Sequence, residues 1–327
     1  DAGKNVLPNY SSEPIKISVV LRAVLVTALG VVLPNSAWAF FGWLIIFQPL
    51  MAFYLLSKFG SYTGRRILFS ALCCALPAFI FMPNFYLFLL SVMMFVAGGI
   101  LHHSSESGDS PALSGSKMVL VAGFGWAILW YSFTMVDSPA PYSQLITGIT
   151  AGIDEAISYY QSAGDISAEA GMVVISTLYQ MKKVVPVVLP SVLGSLVLLL
   201  CWFTMVVGNT LVGRSGNMSP WPAYQHWKLP RRLIWTVIGC GLISFLPIDF
   251  IRVISINSLI LLSVIYCFQG LAIVVFYMNR WNVPILLRSF LYVMIVFQTV
   301  GTLALLILGI AESWFDLRKQ NQQSSTQ

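Results

Sequence analysis

The residues that could do chemistry are few, and they sit in apolar surroundings. Arg22, Asp249, Arg252, Arg288 and Glu312 fall within or beside long apolar runs. An ionised group in hydrocarbon is costly enough to be a functional suspect by default. Asp249 and Arg252 stand three apart, so on a helix they can pair and screen each other. Two readings follow for them. They line a site for an anionic substrate or a coupling site, or they lie near a span end and reach interfacial water by snorkelling. An uncharged set, Gln48, Asn209, Asn257, Gln269 and Gln298, either bonds helix to helix or lines a pocket. Gln48 precedes Pro49 in mid-span, where a broken helix frees backbone groups to bind. Gln48, Asp249, Arg252 and Gln269 are therefore the candidate ligand-binding residues.

What is absent narrows the chemistry further. There is no Gly-x4-Gly-Lys-Ser/Thr phosphate loop, so the chain does not drive anything by hydrolysing ATP on its own. His-Glu-x-x-His and Gly-x-Ser-x-Gly are missing too, and no two carboxylates share an apolar run. The five cysteines, Cys73, Cys74, Cys201, Cys240 and Cys267, all lie in apolar stretches without Cys-x-x-Cys or Cys/His spacing. His102 and His103 open a polar loop, and His226 sits in an aromatic one. No catalytic residue, metal or cofactor is expected, and the chain reads as a non-enzyme.

These residues must be positioned by membrane helices. Of 327 residues, 57% are hydrophobic and only 9% charged, against roughly a quarter charged in a soluble domain. The net charge of +6 could suggest nucleic acid, but the basic residues cluster in short loops beside apolar spans. The expected fold is all-α: a polytopic transmembrane bundle of about nine spans, each needing about 20 apolar residues, with an amphipathic two-helix extramembrane insert. Its expected divisions are a polar tail at 1–15, N-terminal spans over 16–136, the insert at 137–184, C-terminal spans over 185–319, and a disordered tail at 320–327.

The first apolar segment begins near Ile17. Ala37-Trp38-Ala39 resembles a leader cleavage site, yet Phe40 continues into more apolar sequence, so the expectation is an uncleaved span. In the insert, Leu145, Ile149, Ile153, Ala156, Ile157 and Tyr160 recur at helical spacing. A second face carries Met172, Ile175, Leu178 and Tyr179. Together they predict two helices lying on the membrane or capping the bundle. Pro186 and Pro190 each delete a helical hydrogen bond and predict a kink at the start of the span that follows the insert. Trp221, Tyr224 and Trp227 are rings suited to the headgroup layer. The loops 58–66 and 214–232 are basic and are expected in the cytoplasm. Nine spans then put the C-terminus outside, against the preference of Arg318 and Lys319.

Three stretches resemble the YybS-like family of bacterial membrane proteins. They are His226-Trp227-Lys228-Leu229-Pro230, then Asn257 with Tyr266-Cys267-Phe268-Gln269-Gly270-Leu271, and finally Gly309-Ile310-Ala311-Glu312-Ser313-Trp314-Phe315-Asp316-Leu317-Arg318-Lys319. Glu312 stands where members often carry Asp. That family is distantly similar to the substrate-binding S components of energy-coupling-factor vitamin transporters. The resemblance implies a multi-pass protein of the bacterial inner membrane, binding a small molecule for import with a separate ATPase subunit. S components dock their membrane partner through Ala-x3-Ala in the first helix, and the matching pair here is Ala23-x3-Thr27. The alternative role is a structural or scaffolding subunit of a larger membrane assembly. The expected partners are the lipid bilayer, other membrane or ATPase subunits and a small-molecule ligand, with no nucleic acid.

Overall fold

The computed structural model describes residues 16–80, 85–134, 141–162 and 168–318, and among these the chain is all-helical. It forms two compact units, Asp1–Leu129 with Leu200–Ala223, and Trp130–Leu199 with Tyr224–Gln327. The first and last tails and residues 81–84 lie outside the described residues.

In the first unit α1 (Ile17–Ser36), α2 (Trp38–Phe41) and a 3-10 turn (Gly42–Phe47) lead into α3 (Gln48–Ile80), which packs on α1 and on α4 (Phe85–Glu106). The core is Val31, Ala52, Leu55, Leu56, Ile67, Ala75, Phe79, Phe88 and Phe95. Gly60, at φ 80° and ψ 158°, breaks α3 into two helices. A side chain in that conformation would clash with its own backbone, so glycine is needed at the break. Gln48 is almost fully buried. Its Nε2 donates to the Gly30 carbonyl (3.2 Å) and the Ser91 hydroxyl (3.0 Å), tying α3 to α1 and α4.

Thr27, the second residue of the expected docking pair, is also buried and bonds the Ala23 carbonyl at 2.7 Å. The outward face of α1 is Leu21, Leu25, Val26 and Leu29 instead. The polar loop expected to open at His102 and His103 is largely helix, because α4 runs to Glu106 and α5 (Pro111–Thr134) starts at Pro111. Trp221 is not an interfacial ring. It is buried, stacked on Phe53 at 5.4 Å, with Nε1 donating to the Asp109 carbonyl at 3.2 Å. Asn209 holds the Trp221 backbone by both amide groups (2.9 and 3.0 Å).

The second unit holds α6 (Pro141–Ser162), the first part of α7 (Ala168–Arg214), α8 (Leu233–Ile243), α9 (Asp249–Arg280), α10 (Ile285–Phe297) and α11 (Thr299–Phe315). In α6 the expected face is inward from Ile149 to Tyr160, with Ile153 and Ile157 buried, while Leu145 is exposed. The second face is displaced. Gly171, Val174, Ile175 and Leu178 turn inward, and Met172 and Tyr179 point out. Lys182 bonds Asp154 at 2.6 and 2.7 Å, joining α7 to α6. Residues 137–140 and 163–167 of the insert are outside the described set.

The boundary expected at 184 is crossed by helix. α7 is continuous for 47 residues through Pro186 and Pro190, about 70 Å at 1.5 Å per residue against an apolar bilayer core of about 30 Å. The proline damage is repaired by other elements. Pro190 has no N–H for the Pro186 carbonyl, which instead accepts from the Tyr142 hydroxyl at 3.4 Å. One residue on, the helical bond from Ser191 to Val187 is replaced by an inserted side chain. Ser191 N–H donates to Asn257 Oδ1 at 2.9 Å, and Asn257 Nδ2 donates to the Val187 carbonyl at 2.8 Å. A side chain in the hydrogen-bond ladder is a recognised cause of helix bending.

Among the described residues six helices are long and apolar enough to cross a membrane, or seven if α10 and α11, bent by 96°, form one broken span. The expectation of nine counted the two halves of α3 separately and included α8, which has only 11 residues. An 11-residue helix spans about 16 Å, half the hydrocarbon thickness.

Candidate functional site

The three stretches that carry the family resemblance meet in the second unit. α9 and α11 come together backbone to backbone at two glycines. A Cβ on Gly270 would overlap the Leu305 carbonyl oxygen, and one on Gly309 would overlap that of Tyr266. This close approach explains the Gln269-Gly270 pair and Gly309 without any chemical role. It also sets Gln269 beside the end of α11. Gln269 Oε1 accepts the Leu229 N–H at 3.2 Å, and the Tyr224 hydroxyl donates to the Phe268 carbonyl at 2.6 Å, fastening the aromatic loop to α9.

α11 ends at Asp316, in the left-handed region at φ 43°, which a short polar side chain tolerates. The turn brings Arg318 back over the helix end. Its Nε bonds Glu312 Oε1 at 2.9 Å, Nη1 donates to the Gln225 carbonyl at 2.5 Å, and Nη2 to the Trp227 carbonyl at 2.9 Å. Glu312 Oε2 accepts the Leu317 N–H at 2.8 Å, and the Tyr277 hydroxyl donates to the Leu317 carbonyl at 2.9 Å. The Glu312 and Arg318 side chains are 5% and 4% exposed. Two charges so far from water persist because the guanidinium is neutralised on one edge and hydrogen-bonded on the others.

Around this pair is a small cleft of about 30 Å³, lined by Lys228, Leu229, Arg231, Gln269, Glu312, Ser313 and Asp316. That is room for one or two water molecules. Lys228 reaches Asp316 at 2.5 Å and stands 3.9 Å from Glu312, while Arg231 meets Asp316 at 3.5 Å. Because Asp316 and Arg318 bond the loop directly, the end of α11 and the basic loop share one face of the unit. Arg318 is thus placed beside Lys228 and Arg231 of that loop.

Of the four candidate ligand residues, Gln269 alone lines this cleft. Asp249 and Arg252 are at the opposite end of α9, about 30 Å along its axis from Gln269. Both are exposed and no ion pair joins them. Gln48 belongs to the other unit, where it bonds three helices together. Asn209 and Asn257 act in the same way, as fasteners. Arg288 bonds Asn279 Oδ1 at 2.6 Å and the Val283 carbonyl at 3.1 Å. Arg22 is exposed on α1, one to two turns from its start. Lys228, Arg231, Ser313, Asp316 and Arg318 were not singled out as site residues from the sequence. Glu312 was among the ionisable suspects, but its buried partner lies beyond the turn that Asp316 makes.

A second polar group lies in the first unit. His102, buried in α4, has Ser57 Oγ 3.2 Å from Nδ1 and Ser61 Oγ 2.8 Å from Nε2, with Glu106 also 3.2 Å from Nε2. These contacts, from Ser57 and Ser61 of α3 and from Glu106 on α4 itself, hold the His102 ring and tie α3 to α4.

The family model described as "Predicted membrane protein (DUF2232)" matches residues 20–313, nearly the whole chain. The chain belongs to the DUF2232 family. The match spans all three converging stretches up to Ser313 and agrees with the YybS-like resemblance. Searches of curated proteins and of solved structures give no match to this DUF2232 chain.

Proposed function

We propose that this DUF2232 protein is a non-enzymatic binding subunit of a bacterial inner membrane. Like the S components it distantly resembles, it would hold a small ligand while a separate ATPase subunit supplies energy. The observation that carries this reading is the convergence of the basic loop, Gln269 and the end of α11 on one polar cleft beside a buried ion pair. Buried charge is retained at a cost, and a purely structural fastening would be served as well by apolar packing.

A second reading places the ligand at Gln48, whose Oε1 is buried and accepts no hydrogen bond. Thermal-shift screening of the detergent-solubilised full chain against small polar and charged compounds separates the two. Stabilisation lost in Gln269→Leu and kept in Gln48→Leu supports the cleft, and the reverse supports Gln48. If no compound stabilises the wild type and a partner protein co-purifies in fixed proportion, the protein is a scaffolding subunit.

A further inference from the structure

We infer that the cleft takes the phosphate of an anionic phospholipid headgroup. This rests on the cleft being the binding site and names what it binds. The first ground is charge. Among the described residues Lys228, Arg231 and Arg318 pair with two carboxylates, Glu312 and Asp316, so one positive charge is left over. Arg318 is buried and its donors are committed, whereas the Lys228 and Arg231 side chains are 47% and 70% exposed at the rim. Those two can turn from Asp316 toward an incoming anion without breaking the buried pair.

The second ground is a donor without an acceptor. Gln269 is more than nine-tenths buried and lines the cleft. Its Oε1 accepts the Leu229 N–H, which fixes the amide's orientation and leaves the Nε2 group donating to nothing among the described residues. Ser313 adds a hydroxyl to the lining. A buried amide N–H group with no acceptor suits a guest rich in acceptor oxygens, and cations paired with neutral donors are the usual setting for phosphate.

The third ground is size and surroundings. At about 30 Å³ the cleft has room for the oxygens of one oxyanion, the charged end of a larger guest that extends beyond it. Trp314 and Phe315, between the lining residues Ser313 and Asp316, are 59% and 75% exposed. Trp281 at the end of α9 is 69% exposed. Such rings settle at headgroup depth, and basic pockets between membrane helices there bind anionic headgroups. A soluble phosphate ester would leave this apolar flank uncovered, and a phospholipid would cover it.

The test uses the full chain in neutral detergent, with unfolding followed on adding phosphatidylglycerol, phosphatidylcholine, inorganic phosphate or glycerol 3-phosphate. Phosphatidylglycerol is expected to stabilise the wild type at concentrations at least tenfold below those needed for either soluble phosphate, and phosphatidylcholine to do much less. Lys228→Gln with Arg231→Gln should weaken the phosphatidylglycerol effect at least tenfold, while Lys182→Gln, which meets Asp154 of α6 and does not line the cleft, should leave it unchanged. Equal stabilisation by both lipids, or an unchanged response in the double variant, overturns the inference. Soluble phosphate acting as strongly as the lipid overturns the lipid assignment but leaves a phosphate site. If no phosphate compound acts and another ligand stabilises wild type but not Gln269→Leu, this inference fails while the binding role stands.

Discussion

Replacing Asn257 by Leu tests whether the long helix α7 depends on an amide supplied by α9. Two bonds to α7 disappear, those to the Ser191 N–H and the Val187 carbonyl, along with the one to the Val253 carbonyl of α9 itself. Val253 keeps its helical partner, so the cost falls on Ser191 and Val187. A buried peptide group left unpaired costs about 1–3 kcal/mol, whereas an average interhelical bond in a membrane contributes about 0.6 kcal/mol. The two α7 groups could recover only by closing on each other, which the ring of Pro190 resists. We therefore expect a loss of about 2 kcal/mol, measured by reversible unfolding in mixed micelles, with faster amide exchange at Ser191. Pro190→Ala restores a donor for Pro186 and lets the helix straighten, so Asn257→Leu should cost less in that background, by about 1 kcal/mol in a double-mutant cycle. A loss below about 0.5 kcal/mol, with unchanged exchange at Ser191, would refute the reasoning.

Three other outcomes are expected. Arg318→Ala should destabilise the protein by about 3 kcal/mol in the same unfolding assay, because it strands a buried Glu312, while Glu312→Gln/Arg318→Met should cost clearly less; equal losses would contradict the pairing. Cysteine labelling at Ser162 and Ser215, in a cysteine-free background, should show opposite access to an impermeant reagent, since α7 between them is long enough to cross with turns to spare; equal labelling would contradict the span. Lys117, bonded to Asp109 in the turn before α5, holds that carboxyl below its ordinary value of 3.8. A lowered carboxylate pKa adds stability that is complete above the ordinary value and is lost as pH falls through the folded one. The destabilisation caused by Lys117→Ala should accordingly be full above pH 3.8 and fade below it, as thermal unfolding across pH would show.

The helical class and membrane character are legible because burial in lipid is written in composition, and α6 declares its inward face by simple spacing at Ile149, Ile153 and Ile157. The span count is less legible, because Gly60 divides one long helix in two and α8 is apolar but only 11 residues long. The second face of the insert is displaced, with Ile175 and Leu178 inward but Met172 and Tyr179 outward, because its inward positions include Gly171, which carries no hydrophobic signal. The fastening role of Gln48, Asn209 and Asn257 was one of two readings open from residue type, and only their partners' positions separate them. The cleft was illegible as a site, since Leu229, Gln269 and Glu312 are about forty residues apart in turn and nothing local announces that α9 and α11 touch at Gly270 and Gly309. The motifs could be quoted, but their convergence is a tertiary fact.

The most direct test of the cleft as a binding site is native mass spectrometry of the full chain released from its own membranes. The wild type is expected to carry a tightly held non-protein adduct, depleted in Gln269→Leu and in Lys228→Gln with Arg231→Gln, and retained in Gln48→Leu. Identical adduct patterns in all of these variants, or an adduct lost only in Gln48→Leu, would contradict the account.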